Sequence, residues 1–268
     1  MKIYKIIIGK VKSLISKNKY LHSIFNRNYL FQEILIKKRM QIKLPTIEYM
    51  DIVGDSNIKI ESYTFLEGNS MLTDIGLIKS IVKKFPKCVY LEIGCWRGET
   101  LINIAKVAKK CYSLSFSEEE MKIFGWSKEI ISQNHLFTRN LENLTIIGHN
   151  SLTYDFSKLE EKFDVIFIDA EHSYEAVLSD TKNALKKLRD EKSIIIWHDY
   201  GLTPEKVNNE VLAAILDGIP ISEHKYLFHV SNTVCAIYIK DMTLKSYFVD
   251  FPAFPNKKFN ISIEIEKI

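Results

Sequence analysis

Two short stretches hold the residues best suited to chemistry. Asp169-Ala-Glu-His172 follows an apolar run that begins at Phe163, and His198-Asp199 follows another that begins at Ser193. A carboxylate at the end of an apolar strand is costly unless it is hydrated, paired or bound to metal. If the two strands are neighbours, Asp169 and Asp199 meet at one rim, and with His198 they form a donor set for a divalent cation. Oxygen ligands favour Mg²⁺, Mn²⁺ or Ca²⁺. Such an ion would lower the pKa of a hydroxyl and fix its oxygen. His172, with an ordinary imidazole pKa of ~6.5, could take the proton. The competing structural reading has His172 capping the helix that starts at Ser173, and His198 satisfying a backbone group.

A second candidate lies upstream, in residues 88–100. The run Cys88 to Leu91 ends in Glu92, Gly94 and Gly98 bracket a tight loop, and Thr100 opens a stretch with apolar residues at helical spacing. Strand, glycine turn and helix together present backbone N–H groups to a ligand. Glycine lets the chain turn sharply and lets a ligand approach the backbone. Glu92 would face a cationic or hydroxylated part of that ligand. The pattern is Glu-x-Gly-x-x-x-Gly, not the Gly-x-Gly-x-x-Gly of dinucleotide folds. Trp96 either lines the pocket or packs. Cys95 reads as a small filler with no base near it in sequence, and Arg97 is assigned no role.

A sheet has to bring these stretches together. Thr73 reads as the cap of a helix ending near Phe85, where Pro86 stops it. Strands are expected at 88–91, 111–116, 144–148, 163–169 and 193–197. Ser117 and Glu120 form a capping box, and residues 121–142 read as an irregular helical excursion. Tyr174 to Leu188 is an amphipathic helix, and Pro204 starts another through about Leu216. Residues 226–230 and 234–239, joined by Ser231-Asn-Thr, form a hairpin. Strands alternating with helices before a hairpin predict an α/β fold with a mostly parallel sheet and an antiparallel edge. Ligands of such sheets bind outside the carboxyl ends of the strands. The residues to read are therefore Glu92, Ser115, Asn150, Asp169 and Asp199.

With these motifs, residues 73–240 resemble the class I S-adenosyl-L-methionine-dependent methyltransferases, whose first motif is an acidic residue followed by spaced glycines. The resemblance implies a Rossmann-like, mostly parallel seven-stranded sheet with a terminal antiparallel hairpin and helices on both faces. It implies S-adenosyl-L-methionine as cofactor, at Glu92, Gly94, Cys95, Trp96, Gly98, Ser115, Asn150, Ser151 and Asp169. Asp169, His172 and Asp199 are similar to the Asp-x-x-base and next-strand ligand of metal-dependent O-methyltransferases of catechols and macrolide sugars. The implied reaction is methylation of a hydroxyl on a carbohydrate or other small polyol, with Mg²⁺ or Mn²⁺ assisting. Three positions depart from the pattern. His198 replaces a carboxylate in the metal set and admits softer ions. Ser115 replaces the ribose-binding acid, with Glu118 and Glu119 a few residues on. Asn150, followed by Ser151, replaces an Asp near the adenine, a mild change because Asn still accepts. A NAD-dependent oxidoreductase is the alternative, disfavoured by the missing dinucleotide motif. A catalytically inactive methyltransferase fold acting as an interaction module is kept open by Ser115 and His198.

Composition sets the outer bounds. The 268 residues are 46% hydrophobic and 26% charged, as in an ordinary soluble domain with ample core material. Of 37 Lys and Arg, 11 fall in residues 1–43, which hold a single acid, Glu33. The basicity therefore belongs to the N-terminal segment, and the remainder is net acidic. This disfavours nucleic acid as a partner. Ile3, Ile7, Val11, Leu14 and Ile15 share one helical face among lysines. A basic amphipathic segment over residues 1–40 either lies on an anionic membrane surface or packs on protein. No uncharged apolar run approaches the ~20 residues of a membrane span. Four cysteines without C-x-x-C spacing and no secretory signal point to a reducing cytoplasm, with a peripheral position on the inner face of the membrane if the tail binds lipid. The expected organisation is a basic helical segment at 1–43, a methyltransferase domain at 44–240, and an extension at 241–268 that offers one more strand through Phe259, Ile261 and Ile263. His22, His135, His149, His224 and His229 are expected on surfaces or in hairpins, and the acceptor is expected to be a small molecule or glycan.

Overall fold

The computed structural model describes residues 26–54, 57–241 and 243–267. The helical face of Ile3 to Ile15 therefore lies outside the described residues. The main sheet has the order β11-β1-β9-β10-β6-β5-β2-β3-β4. Its centre is parallel: β2 (Val89–Ile93), β3 (Lys110–Ser115), β4 (Leu144–Gly148), β5 (Val165–Ile168) and β6 (Ile194–Trp197). β10 (Ala236–Tyr238) is inserted antiparallel between β6 and β9 (Leu227–Val230). These are the seven strands expected. Two short strands extend the sheet beyond β9: β1 (Thr46–Ile47) runs parallel to it, and β11 (Ser246–Tyr247) pairs antiparallel with β1.

Apolar side chains on both faces of the central strands explain the layering. Leu91, Ile93, Ile166, Ile195 and Trp197 belong to one core, with α7 (Tyr174–Lys187), α8 (Asn209–Gly218) and α1 (Arg27–Lys37). Tyr90, Val165, Phe167, Ile194 and Ile196 belong to the other, with α2 (Tyr49–Val53), α3 (Leu72–Lys83) and α4 (Glu99–Ala105). Because successive strand residues point to opposite faces, a strand apolar throughout must be covered on both sides. The short helices α5 (Glu118–Ile123) and α6 (Lys128–Ser132) fill the excursion after β3, and the Ser117–Glu120 capping box forms.

Several boundaries differ from the sequence reading. α3 starts two residues early, at Leu72; Asp74 is its third residue, and its carboxylate accepts the Met71 N–H. Pro204 starts no helix. It sits between β7 (Gly201–Thr203) and β8 (Lys206–Val207), since a fixed φ suits a turn as well as a first helical turn. α8 begins at Asn209 instead. Residues 259–265 form no strand, and Ile261 and Ile263 are exposed. The added strand is β11. Of the basic N-terminal segment, the described part is docked on the domain: Leu35 is buried, and Phe31 stacks on Tyr174.

One polar contact inside the core holds α7 against the strand that ends at the candidate site. Trp197 Nε1 donates to Thr181 Oγ1 at 2.8 Å, and both side chains are buried. Thr181→Val keeps the volume but leaves the indole N–H unpaired. It should lower unfolding free energy by about 1–3 kcal/mol, measured by urea titration.

Candidate active site

The strand order reverses at β2, which has β3 on one side and β5 on the other. In open α/β sheets this is where a crevice opens. Gly94 follows the end of β2 and Asp169 that of β5, and the Asp169 N–H donates to the Ile93 carbonyl at 2.8 Å. Gly94 has φ +93°, and a Cβ there would lie 2.1 Å from the Asp169 carbonyl oxygen. Gly98 has φ +91°, and its Cβ would meet Thr138 at 2.6 Å. The glycines are thus demanded by close approach of the chain to itself. Among the described residues, no protein acceptor takes the backbone N–H of Cys95, Trp96 or Arg97. Three donors at the switch point are therefore available to an anionic ligand group.

Asp169, His172 and Asp199 converge as the sequence spacing suggested. β5 and β6 are adjacent, and the His198 N–H bonds to the Ile168 carbonyl at 3.0 Å, aligning the two strand ends. Asp199 has φ +54°, a left-handed conformation that Asp tolerates better than most residues. His172 Nε2 lies 2.7 Å from Asp199 Oδ2 and 3.7 Å from Asp169 Oδ1. Ligand atoms of these three side chains all fall within 4.8 Å of one another. His172 does not cap α7; Ser173 does, its hydroxyl accepting the Ala176 N–H.

His198 sits behind this trio and satisfies no backbone group. Its Nδ1 lies 2.8 Å from Asp199 Oδ2 and 3.1 Å from Asp169 Oδ1, while its Nε2 lies 3.2 Å from Asp74 Oδ2. Both ring nitrogens are engaged by carboxylates, so His198 acts as an internal cation and not as a free donor for metal. Burial alone would lower its pKa, but the Asp169 charge and hydrogen bonds to Asp169, Asp199 and Asp74 raise it well above the ordinary value. His172 follows the same logic: desolvation opposes its charge, and hydrogen bonds to Asp169 and Asp199 raise it to about 9. Burial would raise Asp169 and Asp199, yet both are held below the usual carboxylate range, chiefly by His198 at Asp169 and by hydrogen bonds from both imidazoles at Asp199. Asp74 is fully buried on α3. An acid in the first turn of a helix is so common that its place in the sequence does not signal this role.

The cofactor-side residues are placed less uniformly. Glu92 is turned into the sheet. It is 3% exposed and accepts the Tyr90 hydroxyl at 2.8 Å within the sheet, and burial pushes it up to about 8. Residues two apart on a strand share a face, which turns Glu92 toward Tyr90. Trp96 packs between Gly68 and the Arg97 guanidinium, and its Nε1 has no partner among the described residues. Arg97 is buried; it pairs with Glu99 at 2.9 Å and donates to Asn69 and the Glu67 carbonyl. These bonds strap residues 64–70 over the glycine loop, where Ser70 Oγ lies 3.4 Å from Asp169 Oδ2. Asn150 Oδ1 accepts the Leu152 N–H, and Ser151 donates to buried Asp180. Cys95 is a packed thiol pushed well above its usual pKa by burial.

His135 departs from expectation. It is 4% exposed, and its Nε2 lies 2.9 Å from Ser115 Oγ. Nothing in the irregular stretch around it signals this. His149 and His224 are partly exposed and His229 lies in the β9–β10 hairpin, as anticipated; His22 is outside the described residues. Two surface hollows, one at Lys182 and Pro220 and the other at Tyr154 and Lys187, involve none of these site residues.

A family described as a methyltransferase domain matches residues 91–200, a span containing Glu92, Ser115, His135, Asp169, His172, His198 and Asp199. Residues 91–200 are thus similar to a methyltransferase domain. No curated protein sequence matches the chain. Among solved structures, the chain is similar to a putative O-methyltransferase from Klebsiella pneumoniae, at 15% identity over 66% of this chain and 84% of that one, TM-score 0.46. It is also similar to an O-methyltransferase from Bacillus cereus in complex with SAH, at 18% identity over 65% and 84%, TM-score 0.45. An SAH-bound methyltransferase from Podospora anserina shares 20% identity over 65% and 80%, TM-score 0.45.

Burial depresses the pKa of His135 to about 4. Between pH 6.5 and 4 the unfolded chain therefore binds a proton that the folded domain refuses, and stability falls as pH falls through that window. The effect should reach about 3 kcal/mol. His135→Gln should flatten this limb in urea titrations compared at pH 7.5 and pH 5.

Proposed function

We propose that this methyltransferase domain transfers a methyl group from S-adenosyl-L-methionine to a hydroxyl oxygen of a carbohydrate or other small polyol. The observation that carries the reading is the convergence of Asp169, His172 and Asp199 beside the glycine loop, at the point where the strand order reverses. S-adenosyl-L-methionine supplies a methyl already activated by its sulfonium charge. The protein then has to hold the acceptor in line and remove its proton. The free N–H groups of Cys95, Trp96 and Arg97 suit the carboxylate of the cofactor's amino-acid end. Ser115 and Asn150, at the ends of the next two strands, lie along the direction its nucleoside would take.

His172 is the group placed to take the proton, through Nδ1 of its neutral form, which a pKa of about 9 makes more abundant as pH rises. It is half exposed, and Asp199 and Asp169 face Nε2, orient the ring and stabilise the imidazolium that forms. The donor set also fits a hard divalent cation: Asp169 and Asp199 would hold Mg²⁺ or Mn²⁺ through oxygen, with His172 Nε2 as the third donor. When bound, such an ion lowers the pKa of a hydroxyl. His198 belongs to neither role, because Asp74 and Asp199 occupy its two nitrogens. A cation on Nε2 would displace the hydrogen that Nε2 gives to Asp199, and chelation separates this role from that of base. Among the described residues, no helix is long and apolar enough to cross a membrane. A peripheral position on an anionic membrane rests on the basic amphipathic pattern of residues 1–40, and would suit a lipid-linked glycan acceptor on the cytoplasmic face.

S-adenosyl-L-homocysteine should raise the melting temperature, and NAD should not. Transfer of labelled methyl to a panel of sugars and polyols should fall ~10²–10⁴-fold in His172→Ala with cofactor affinity unchanged. Loss of transfer in EDTA, restored by Mg²⁺ or Mn²⁺, would assign the cation; full transfer in EDTA would leave His172 as the base alone. Absence of any shift with S-adenosyl-L-homocysteine would refute the cofactor assignment.

A further inference from the structure

Ser115 occupies the middle of the strand ends over which a nucleoside would lie. On one side Ile93 pairs with Leu114, and the Gly94 N–H donates to the Leu114 carbonyl at 2.8 Å. On the other, Ser115 pairs with Gly148, and its carbonyl accepts the His149 N–H at 2.7 Å. A nucleoside reaching from the glycine loop toward Asn150 therefore crosses the Ser115 hydroxyl.

That hydroxyl is held from beneath. His135 Nε2 lies 2.9 Å from Ser115 Oγ, and His135 Nδ1 faces Thr138 Oγ1 at 3.0 Å and Cys95 Sγ at 3.7 Å. The Ser115 hydroxyl is thereby engaged by the ring whichever nitrogen carries the hydrogen, and one hydrogen-bonding direction of the hydroxyl is left over. The backbone joins the same arrangement: the His135 N–H donates to the Trp96 carbonyl at 2.7 Å, and the Phe137 N–H to the Arg97 carbonyl at 2.9 Å. His135 is held at φ +54°, a left-handed conformation a non-glycine residue keeps only when its surroundings enforce it. One buried residue thus ties the glycine loop to the end of β3.

We propose that His135 is a positioning residue for the sugar of the bound nucleoside, holding the Ser115 hydroxyl so that its remaining hydrogen-bonding direction meets a ribose oxygen. The inference rests on the cofactor assignment above and extends it to a residue that never touches the ligand.

The test is isothermal titration of the full chain with S-adenosyl-L-homocysteine, at a temperature where circular dichroism shows every variant folded. Ser115→Ala and His135→Ala should each weaken binding ~10-fold, the scale of one hydrogen bond to a bound ligand. The double variant should be no weaker than either single one, because the second change removes a support whose load is already gone. His135→Gln, which keeps an N–H near the Nε2 position, should recover most of the affinity. Multiplying effects in the double variant, or unchanged affinity in His135→Ala, would overturn the role of His135 while leaving the cofactor assignment standing. If His135→Ala does not fold, unchanged affinity in Ser115→Ala overturns it equally. No binding by the unaltered chain overturns both.

Discussion

The site depends on one buried cation. His198 is held by Asp74 through one ring nitrogen and by Asp169 and Asp199 through the other. Three carboxylates this close would repel and protonate without a positive charge among them. The imidazolium keeps Asp169 and Asp199 ionised, and it is bolted to α3 through a residue with no exposed surface. The cluster is therefore built from three elements: α3, the end of β5 and the end of β6. Removing one partner would leave an uncompensated charge in a poorly hydrated place, which costs more than the pair contributes. What reaches solvent is the outer layer, His172, aimed by the carboxylates that His198 holds.

The glycine loop is organised by a similar economy of space. Gly94 exists because the Asp169 backbone passes where a side chain would be, and Gly98 because Thr138 does. The loop between them is clamped by Arg97, which is buried with Glu99 and reaches back to residues 67–69. Asn103 adds to the clamp by exchanging hydrogen bonds with the Glu61 backbone. The cofactor side and the chemical side thus share a wall, since the backbone of Asp169 packs on Gly94 while its side chain meets His172 and His198. A displacement of either loop moves both halves of the site.

Much of this was legible in the chain. Val165 to Ile168 and Ile194 to Trp197 are apolar at every position, a pattern that requires a central parallel strand covered on both faces. Two such strands, each followed at once by an acid, predict acids at one rim. The hairpin of β9 and β10 was visible from its flanking apolar runs. Errors fell where one residue type serves two geometries: Pro204 suits a turn or a helix start, and Thr73 with Asp74 suits a cap in either of two registers. The alternation at Phe259 to Ile265 met no neighbouring strand with which to pair. The Tyr90 partner of Glu92 follows from strand parity, which puts residues two apart on one face.

What the amino-acid order determined by itself was local: which segments are strands or helices, which residues end them, and that two carboxylates and two histidines fall just beyond buried strands. Those properties follow from periodicity and from the desolvation cost of charge, both readable from near neighbours. The tertiary structure alone decided the partners. Asp74 and His198 are separated by 124 positions, Arg97 and Glu67 by 30, and His135 and Ser115 by 20. No pattern in the intervening residues encodes such pairings. They are set when sheet order and helix packing bring distant side chains together in a space too dry to leave any of them unpaired.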